Sequence, residues 1–322
     1  PVTPNIDRLA REGVVFDRAY CACPACAPSR MTMLTGRHPA CCPVRIPECV
    51  PTVADLLADA GYHTAALGKM HMDPPRGPYG FREIVLSEDT GPGVFLDDFH
   101  RWLAGQGHVE CSHGLDNCDV LSCRNPLGQE HTVTAWNGAT AVDFIRRQRG
   151  STRPFFAVAS FVKPHPPYDP PLPWSETVAP ADAPRPRGLE RPWQDYPEQL
   201  RAYADAAGCA RVEELGWVQR IRAHYLGLVA QIDNEVGRIL TALAEQGLDE
   251  NTLVLFSADH GDFLGDHHLF MKFWPYDAAG RIPLIVRAPG LAPGRTQAPA
   301  SHLDFAPTFL DFCGRDIPET CQ

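Results

Sequence analysis

Cys26-Ala27-Pro28-Ser29-Arg30-Met31-Thr32-Met33-Leu34-Thr35-Gly36-Arg37 has the marks of a short helix with a reactive entrance. Pro28, with a preset φ and no N–H to donate, suits the first helical position, and Gly36 suits the residue just past the end. Cys26 then stands at a helix N-terminus. Unpaired N–H groups and the positive end of the macrodipole favour negative charge there, which lowers a thiol pKa or holds an oxyanion. Arg30, one turn in, adds a planar cation suited to tetrahedral oxyanions. A buried cysteine ahead of a short helix would leave the same pattern, so the chemistry has to be sought along the rest of the chain.

Working outward, helix and strand alternate. Thr3-Pro4 reads as N-cap and first helical residue, with Ile6, Leu9 and Ala10 on one face and Gly13 as the stop; a short strand over 14–16 follows. Thr52 caps a second helix, with Val53, Leu56, Leu57 and Ala60 apolar and Gly61 at its end. A strand over 62–67 comes next and breaks at Gly68. The periodicity predicts a helix over 134–149, a buried central strand over 155–162 and a long helix over 218–246 with Ile221, Leu228, Ile232, Val236 and Leu243 inward. Strands over 252–257 and 281–287 complete the pattern of an α/β sheet. Residues 73–135, with a short element near 95–103, and 170–215, which hold Trp174, Trp193 and Tyr196, read as loop-rich insertions near the active site.

Ligands of open α/β sheets bind beyond the carboxyl ends of the strands, and polar residues fall there three times. Gly68-Lys69-Met70-His71 follows one strand and Lys163-Pro164-His165-Pro166-Pro167 another, where the prolines stiffen the backbone around the histidine. Asp259-His260-Gly261-Asp262 follows a third and offers oxygen and imidazole ligands to a divalent cation, with Lys272 downstream. Alone, each is as readily a solvated turn or a rigid loop. Asp262, Asp266 and His267 are expected at most to orient ligands.

Cys26-x-Pro28-Ser29-Arg30 with Leu34-Thr35-Gly36-Arg37 resembles the sulfatase signature, and similar segments recur at Gly68-Lys69-x-His71, His165-Pro166-Pro167, Asp259-His260-Gly261 with Gly265-Asp266-His267, and Lys272. The resemblance implies an alkaline-phosphatase-like α/β fold, a three-layer sandwich whose mostly parallel central sheet is flanked by helices. It implies that Cys26 is oxidised to formylglycine by a formylglycine-generating enzyme, and that the aldehyde hydrate is the nucleophile towards a small-molecule sulfate ester. One divalent cation, Ca²⁺ ahead of Mn²⁺ or Mg²⁺, would be held by Asp259, His260 and position 26. Arg30, Lys69, His165 and Lys272 would surround the sulfate, with Lys69 bridging the nucleophile and Arg30, and His71 would serve as base for the second hydroxyl. Ser301-His302-Leu303-Asp304 and Pro307-Thr308 also match and are expected to be structural.

Two departures from the family accompany the match. Sulfatases begin with a strand ending in an Asp-Asp pair that supplies metal ligands, and they carry a smaller C-terminal subdomain; neither is in this sequence, and Asp97-Asp98 lies in an insertion. Residues 1–322 are therefore expected to be a single catalytic domain truncated at both ends, binding its cation weakly. Three other readings stay open: a phosphonate or phosphate ester hydrolase of the same superfamily, a catalytically impaired fragment acting as a binding domain, and a cysteine hydrolase using the Cys26 thiolate with His71 or His165.

Composition narrows the partners. The 322 residues carry a net charge of −10 and no Lys/Arg run, which argues against nucleic acid. No apolar run approaches the roughly 20 residues of a membrane span, so no membrane partner is expected. An acidic enzyme acting on an anion must gather positive charge locally, and Arg30, Lys69, His165 and Lys272 meet that need. Of the 12 cysteines, Cys21, Cys23, Cys26, Cys41, Cys42 and Cys49 cluster early, and Cys111, Cys118 and Cys123 lie in a polar stretch. A disulfide or zinc framework is one reading of them; free cysteines, in a chain long enough to need no staples, are the other. No targeting segment is present to read, which leaves the compartment, bacterial cytoplasm or periplasm, and the oligomeric state open.

Overall fold

Apolar side chains on both faces of the strands and one-sided stripes on the helices sort the chain into three layers. The computed structural model describes residues 3–42, 45–88, 97–108, 115, 118–206 and 214–322. In chain order, α1 (Pro4–Glu12) leads into β1 (Val14–Tyr20), and α2 (Cys26–Thr35) and α3 (Val53–Asp59) precede β2 (His63–Gly68) and β3 (Glu83–Leu86). Then come α4 (Asp98–Gly105), α5 (Val133–Arg147) and β4 (Phe155–Ser160). The last third holds α6 (Glu198–Ala206), α7 (Leu215–Glu245), β5 (Val254–Ser257), α8 (Asp277–Gly280), β6 (Leu284–Arg287), β7 (Gly294–Ser301) and α9 (Phe305–Phe312).

The strands form two sheets, ordered β3-β2-β4 and β5-β6-β1-β7. The first is parallel throughout, with Ala65 opposite Ala157 and Glu83. The second is mixed: β6 runs antiparallel to β1 and β5, and β7 parallel to β1. Side chains alternate between two helical layers. Ala65, Leu67 and Phe155 face Phe144 of α5 and Leu243 of α7, whereas Ala66, Phe156 and Val158 face Met31 of α2, Leu57 of α3 and Leu310 of α9. Val254 and Phe256 meet Leu9 of α1 and Val236 of α7, while Leu255 meets Met33 of α2 and Phe309 of α9. α7 and the α2–α9 pair thus each cover both sheets and make them halves of one sandwich.

β4 and β5, each an end strand of its sheet, face one another across a slot of about 1460 Å³. Phe155–Val162 and Leu253–Ser257 form its two long sides, Ile232 and Val236 one wall and Met33 and Phe309 the other. At the carboxyl ends of the strands the slot opens onto Cys26, Arg30, Lys69, His165, Asp259 and Lys272.

Several expectations change. α2 starts at Cys26, so Pro28 is its third residue; the first turn has no intrahelical use for its N–H groups, and proline is tolerated there as well as at the first position. β1 runs on to Tyr20 because β7 continues the ladder as far as Tyr20 opposite Ser301. β7 itself escaped the reading because its sequence is largely polar and exposed at a sheet edge. The 73–135 insertion contains β3 and α4, and 170–215 contains three 3₁₀ turns and α6, all too short for a clear period. Tyr196, Leu200 and Ala204 from that second insertion pack with Val218, Ile221, Phe263 and Phe270 into a core of their own. Cys111 and Phe95 lie outside the described residues. Cys21, Cys23, Cys41, Cys42 and Cys49 are free thiols, from buried Cys42 to exposed Cys41 and Cys49. No described helix is long and apolar enough to cross a membrane.

Candidate active site

Cys26 is the first residue of α2 and 8% exposed. Its Sγ lies 3.1 Å from His260 Nε2. His260 Nδ1 sits 2.8 Å from the Gly261 carbonyl, which can only accept, so that nitrogen carries a proton and Nε2 is the atom that meets Cys26. Burial disfavours a thiolate at Cys26, but hydrogen bonds from His165, His260 and His71 and the charge of Lys69 outweigh it and hold the thiol far below its ordinary value. Five residues upstream the opposite holds: burial and the charges of Cys23 and Asp259 push the Cys21 thiol up to about 12.

Arg30 organises the floor. Its Nε donates to Asp259 Oδ2 at 2.9 Å and one terminal nitrogen donates to the Lys69 carbonyl at 2.5 Å and to Ser160 Oγ at 2.9 Å. These contacts tie α2 to the carboxyl ends of β2, β4 and β5. Burial opposes the charge on both Arg30 and Asp259; their mutual attraction, with His260 and Lys69 beside Asp259, outweighs it and keeps both ionised.

The chain enters this floor through Gly68, whose φ of +100° and missing Cβ let β2 pass Ser160; a Cβ there would lie 1.9 Å from the Ser160 carbonyl oxygen. Lys69, 2% exposed, follows directly. His71 adopts φ +55°, and Glu88 holds it there: its carboxylate accepts the backbone N–H of Met70 at 3.0 Å and of His71 at 3.0 Å. Asp97 in turn accepts the Glu88 N–H at 2.6 Å.

Two clasps deliver the other wall. Lys163 pairs with buried Asp169 at 2.6 Å and donates to the Pro167 carbonyl at 2.7 Å, bracketing His165. Asp262 accepts from Tyr168 Oη at 2.8 Å and from the N–H groups of Leu264 and Met271, each at 3.0 Å, closing the loop that ends in Lys272. Lys272 Nζ then sits 2.8 Å from His165 Nε2. Asp266 is engaged with Arg222 and the Arg187 N–H, and His267 stacks on Tyr276, so both serve the loop.

All eight residues singled out in the sequence, Cys26, Arg30, Lys69, His71, His165, Asp259, His260 and Lys272, are thus drawn to one place. Glu88, Ser160 and Ser29 were missed. Ser160 ends β4 just before the Lys163 turn, and a polar residue closing an apolar strand was the available signal. His302, expected to be structural, is fully buried beneath the site: Nε2 donates to the Ala258 carbonyl at 3.0 Å, and Nδ1 lies 2.8 Å from Ser29 Oγ, which donates to the Asp259 carbonyl at 2.6 Å. Burial drives its pKa down to about 4, which suits this neutral tautomer.

A histidine kept neutral costs stability once solution pH falls below its unfolded pKa, because the unfolded chain then binds the extra proton. With values of 6.5 unfolded and about 4 folded, His302 is expected to remove about 2 kcal/mol between pH 7.5 and pH 5. Urea midpoints measured at both pH values check this: His302→Gln should show a smaller drop than the wild type, and an equal drop would assign the loss elsewhere.

The ligating atoms of Cys26, Asp259 and His260 all lie within 4.8 Å of one another, the single such group among the described residues. One carboxylate oxygen, one imidazole lone pair and the atom at position 26 suit a divalent cation, yet Asp259 Oδ2 is already committed to Arg30. The donors fit such an ion but supply only part of the six to eight oxygens Ca²⁺ takes.

Fold and site together define an alkaline-phosphatase-like α/β hydrolase. A family model described as Sulfatase matches residues 1–314. An arylsulfatase of Clostridium perfringens is 33% identical, over 99% of this chain and 71% of its own length. A choline-sulfatase of Rhizobium meliloti is 28% identical, over 98% of this chain and 64% of its own. Among solved structures, a phosphonate monoester hydrolase from Silicibacter pomeroyi superposes with a TM-score of 0.81 at 26% identity, covering all of this chain and 70% of the other. The chain belongs to the sulfatase family.

Proposed function

We propose that this protein hydrolyses aryl sulfate monoesters, with formylglycine at position 26 as nucleophile. The observation that carries the reading is the convergence of three histidines and Lys69 on the side chain at position 26, at a helix N-terminus, within the sulfatase family. The Cys26 sulfur stands where an oxygen of the aldehyde hydrate would be in the mature enzyme. Formation of that aldehyde needs a formylglycine-generating enzyme, whose recognition segment would be the Cys26–Arg30 stretch.

A divalent cation, Ca²⁺ by preference, held by Asp259, His260 and the oxygen at position 26, supplies Lewis acidity. The chain's own groups do the rest. Arg30, Lys69, His165 and Lys272 neutralise the sulfate oxygens as charge develops. One hydrate hydroxyl gives up its proton to solvent and attacks sulfur, the S–O bond to the alcohol breaks, and the protonated member of the His165–Lys272 pair gives the leaving oxygen its proton. His71 then takes the proton of the remaining hydroxyl, the bond from carbon to the sulfated oxygen breaks, sulfate departs and the aldehyde is restored. The slot between β4 and β5 supports a further part of this reading, that a neighbouring strand of a longer polypeptide completes the sheet and brings the missing carboxylates to the cation.

Co-expression with a formylglycine-generating enzyme, followed by mass spectrometry of the peptide containing position 26, tests the proposal. Loss of its sulfur, together with turnover of a nitrophenyl sulfate, is the expected result; retained thiol in an active protein would overturn it. The phosphonate reading has its own support in the phosphonate monoester hydrolase likeness. A higher kcat/KM for a phenyl phosphonate than for the sulfate would favour it.

A further inference from the structure

Beside the anion-binding pair stands an aromatic ring the chemistry above does not use. Phe273 is 51% exposed, although its neighbours Met271 and Lys272 are 8% and 4% exposed. Its ring centroid lies 5.8 Å from Lys272 Nζ, the atom that meets His165 Nε2 at 2.8 Å. A single exposed phenylalanine is ordinary on a protein surface. This one is not placed cheaply, for its φ is +85°, a left-handed conformation that bulky residues avoid and glycine adopts freely. The fold holds it there in two ways. Its N–H donates to the Pro24 carbonyl at 3.0 Å, two residues before Cys26, and Tyr203 packs edge-on against the ring at 5.9 Å and 75°. Tyr203 Oη in turn donates to the Lys272 carbonyl at 3.2 Å. A strained backbone that leaves half of an apolar ring in solvent, tied to both the nucleophile's loop and the anion-binding lysine, gains only part of the burial that usually repays strain.

We infer that Phe273 is the specificity-determining residue for the alcohol half of the ester, a platform on which a flat aromatic leaving group stacks while its sulfate lies among Cys26, His165 and Lys272. The inference rests on the proposed sulfatase activity. With the sulfate oxygens committed to the cationic groups, an organic half leaving past Lys272 would meet the ring, whose centroid lies 5.8 Å from Lys272 Nζ. Tyr203 approaches edge-on, and Trp274 lies 6.2 Å from the Tyr203 ring. The surroundings are thus aromatic, which favours an aryl group over a hydroxyl-rich sugar.

The formylglycine-bearing full-length enzyme tests this with 4-nitrophenyl sulfate and a linear alkyl sulfate. Phe273→Ala and Phe273→Gly are expected to raise KM for the aryl ester about tenfold with kcat within twofold. The alkyl ester should be unaffected by either change, and Phe273→Tyr should behave as wild type. Phe273→Gly also relieves the left-handed backbone, so its melting temperature should equal or exceed that of the wild type. A merely structural ring would instead lower the melting temperature and depress both substrates alike, and that outcome overturns the inference. An aryl KM indifferent to residue 273 in an active enzyme refutes the platform alone. A wild type that carries formylglycine yet cleaves neither ester refutes the sulfatase reading beneath it.

Discussion

Cys26→Ala, prepared alongside the matured wild type, is expected to lose at least about 10⁴-fold in kcat/KM towards sulfate esters, in the range seen when a covalent nucleophile is removed. Neither the positive charge gathered around the anion nor the cation site's Asp259 and His260 is touched by the change, so residual binding of sulfate should persist while turnover disappears. Alanine is a good helix former and fits the first position of α2, and with Cys26 at 8% exposure only a small cavity results. The folded fraction and thermal midpoint should therefore stay close to wild type, which separates a chemical loss from a structural one. Iodoacetamide adds an independent arm. A thiolate hydrolase would be inactivated through Cys26, whose thiol is the acidified one, whereas an enzyme carrying the aldehyde would be indifferent. Full inactivation by the reagent of protein whose position 26 retains its sulfur would replace the sulfatase mechanism with the thiolate one.

Arg30→Ala is expected to cost both stability and activity. The guanidinium satisfies the Asp259 carboxylate, the Lys69 carbonyl and the Ser160 hydroxyl together, and its side chain is only 13% exposed, against 17% for Asp259. Removing one member of a buried pair strands the other charge, at about 3–5 kcal/mol. Two further acceptors lose their donor, and α2 loses its tie to the ends of β2, β4 and β5. In turnover, deletion of one group stabilising transition-state charge lowers kcat by about 10²- to 10³-fold. Arg30→Lys keeps the charge but not the planar fork, so it cannot serve three acceptors in different directions and should fall between the two. Urea titration and steady-state kinetics on the same preparations check both effects. A fully stable Arg30→Ala would mean that water or Lys69 takes over the Asp259 carboxylate, and the organising role assigned to Arg30 would be withdrawn.

How legible the site was in the sequence follows from how local each signal is. Lys69, His165 and Asp259 could be read because each stands at or just past the carboxyl end of an apolar strand, a place defined by its own ten or so residues. Cys26 and Arg30 could be read because a helix entrance is a short-range pattern. Glu88 could not, since its task is to accept N–H groups 17 and 18 positions back, through a strand whose four residues show no usable period. Nor could the second core, in which residues from a stretch without periodicity pack around the loop that carries Lys272. His302 matched a pattern, but its reach to Ser29 and Ala258 spans 273 and 44 positions and is a property of the folded chain.

By itself, then, the sequence determined the alternation of helix and strand, the polar residues that close the strands and the helix entrance at Cys26, because hydrophobic period, caps and proline or glycine geometry act over a few residues. Only the tertiary structure decided that one sheet is mixed, that β4 and β5 stand apart across a slot, that Asp259 is shared between Arg30 and a cation site, and that Phe273 faces solvent beside Lys272. Those are contacts between segments far apart in the chain, selected by which surfaces bury together and which buried charges find partners.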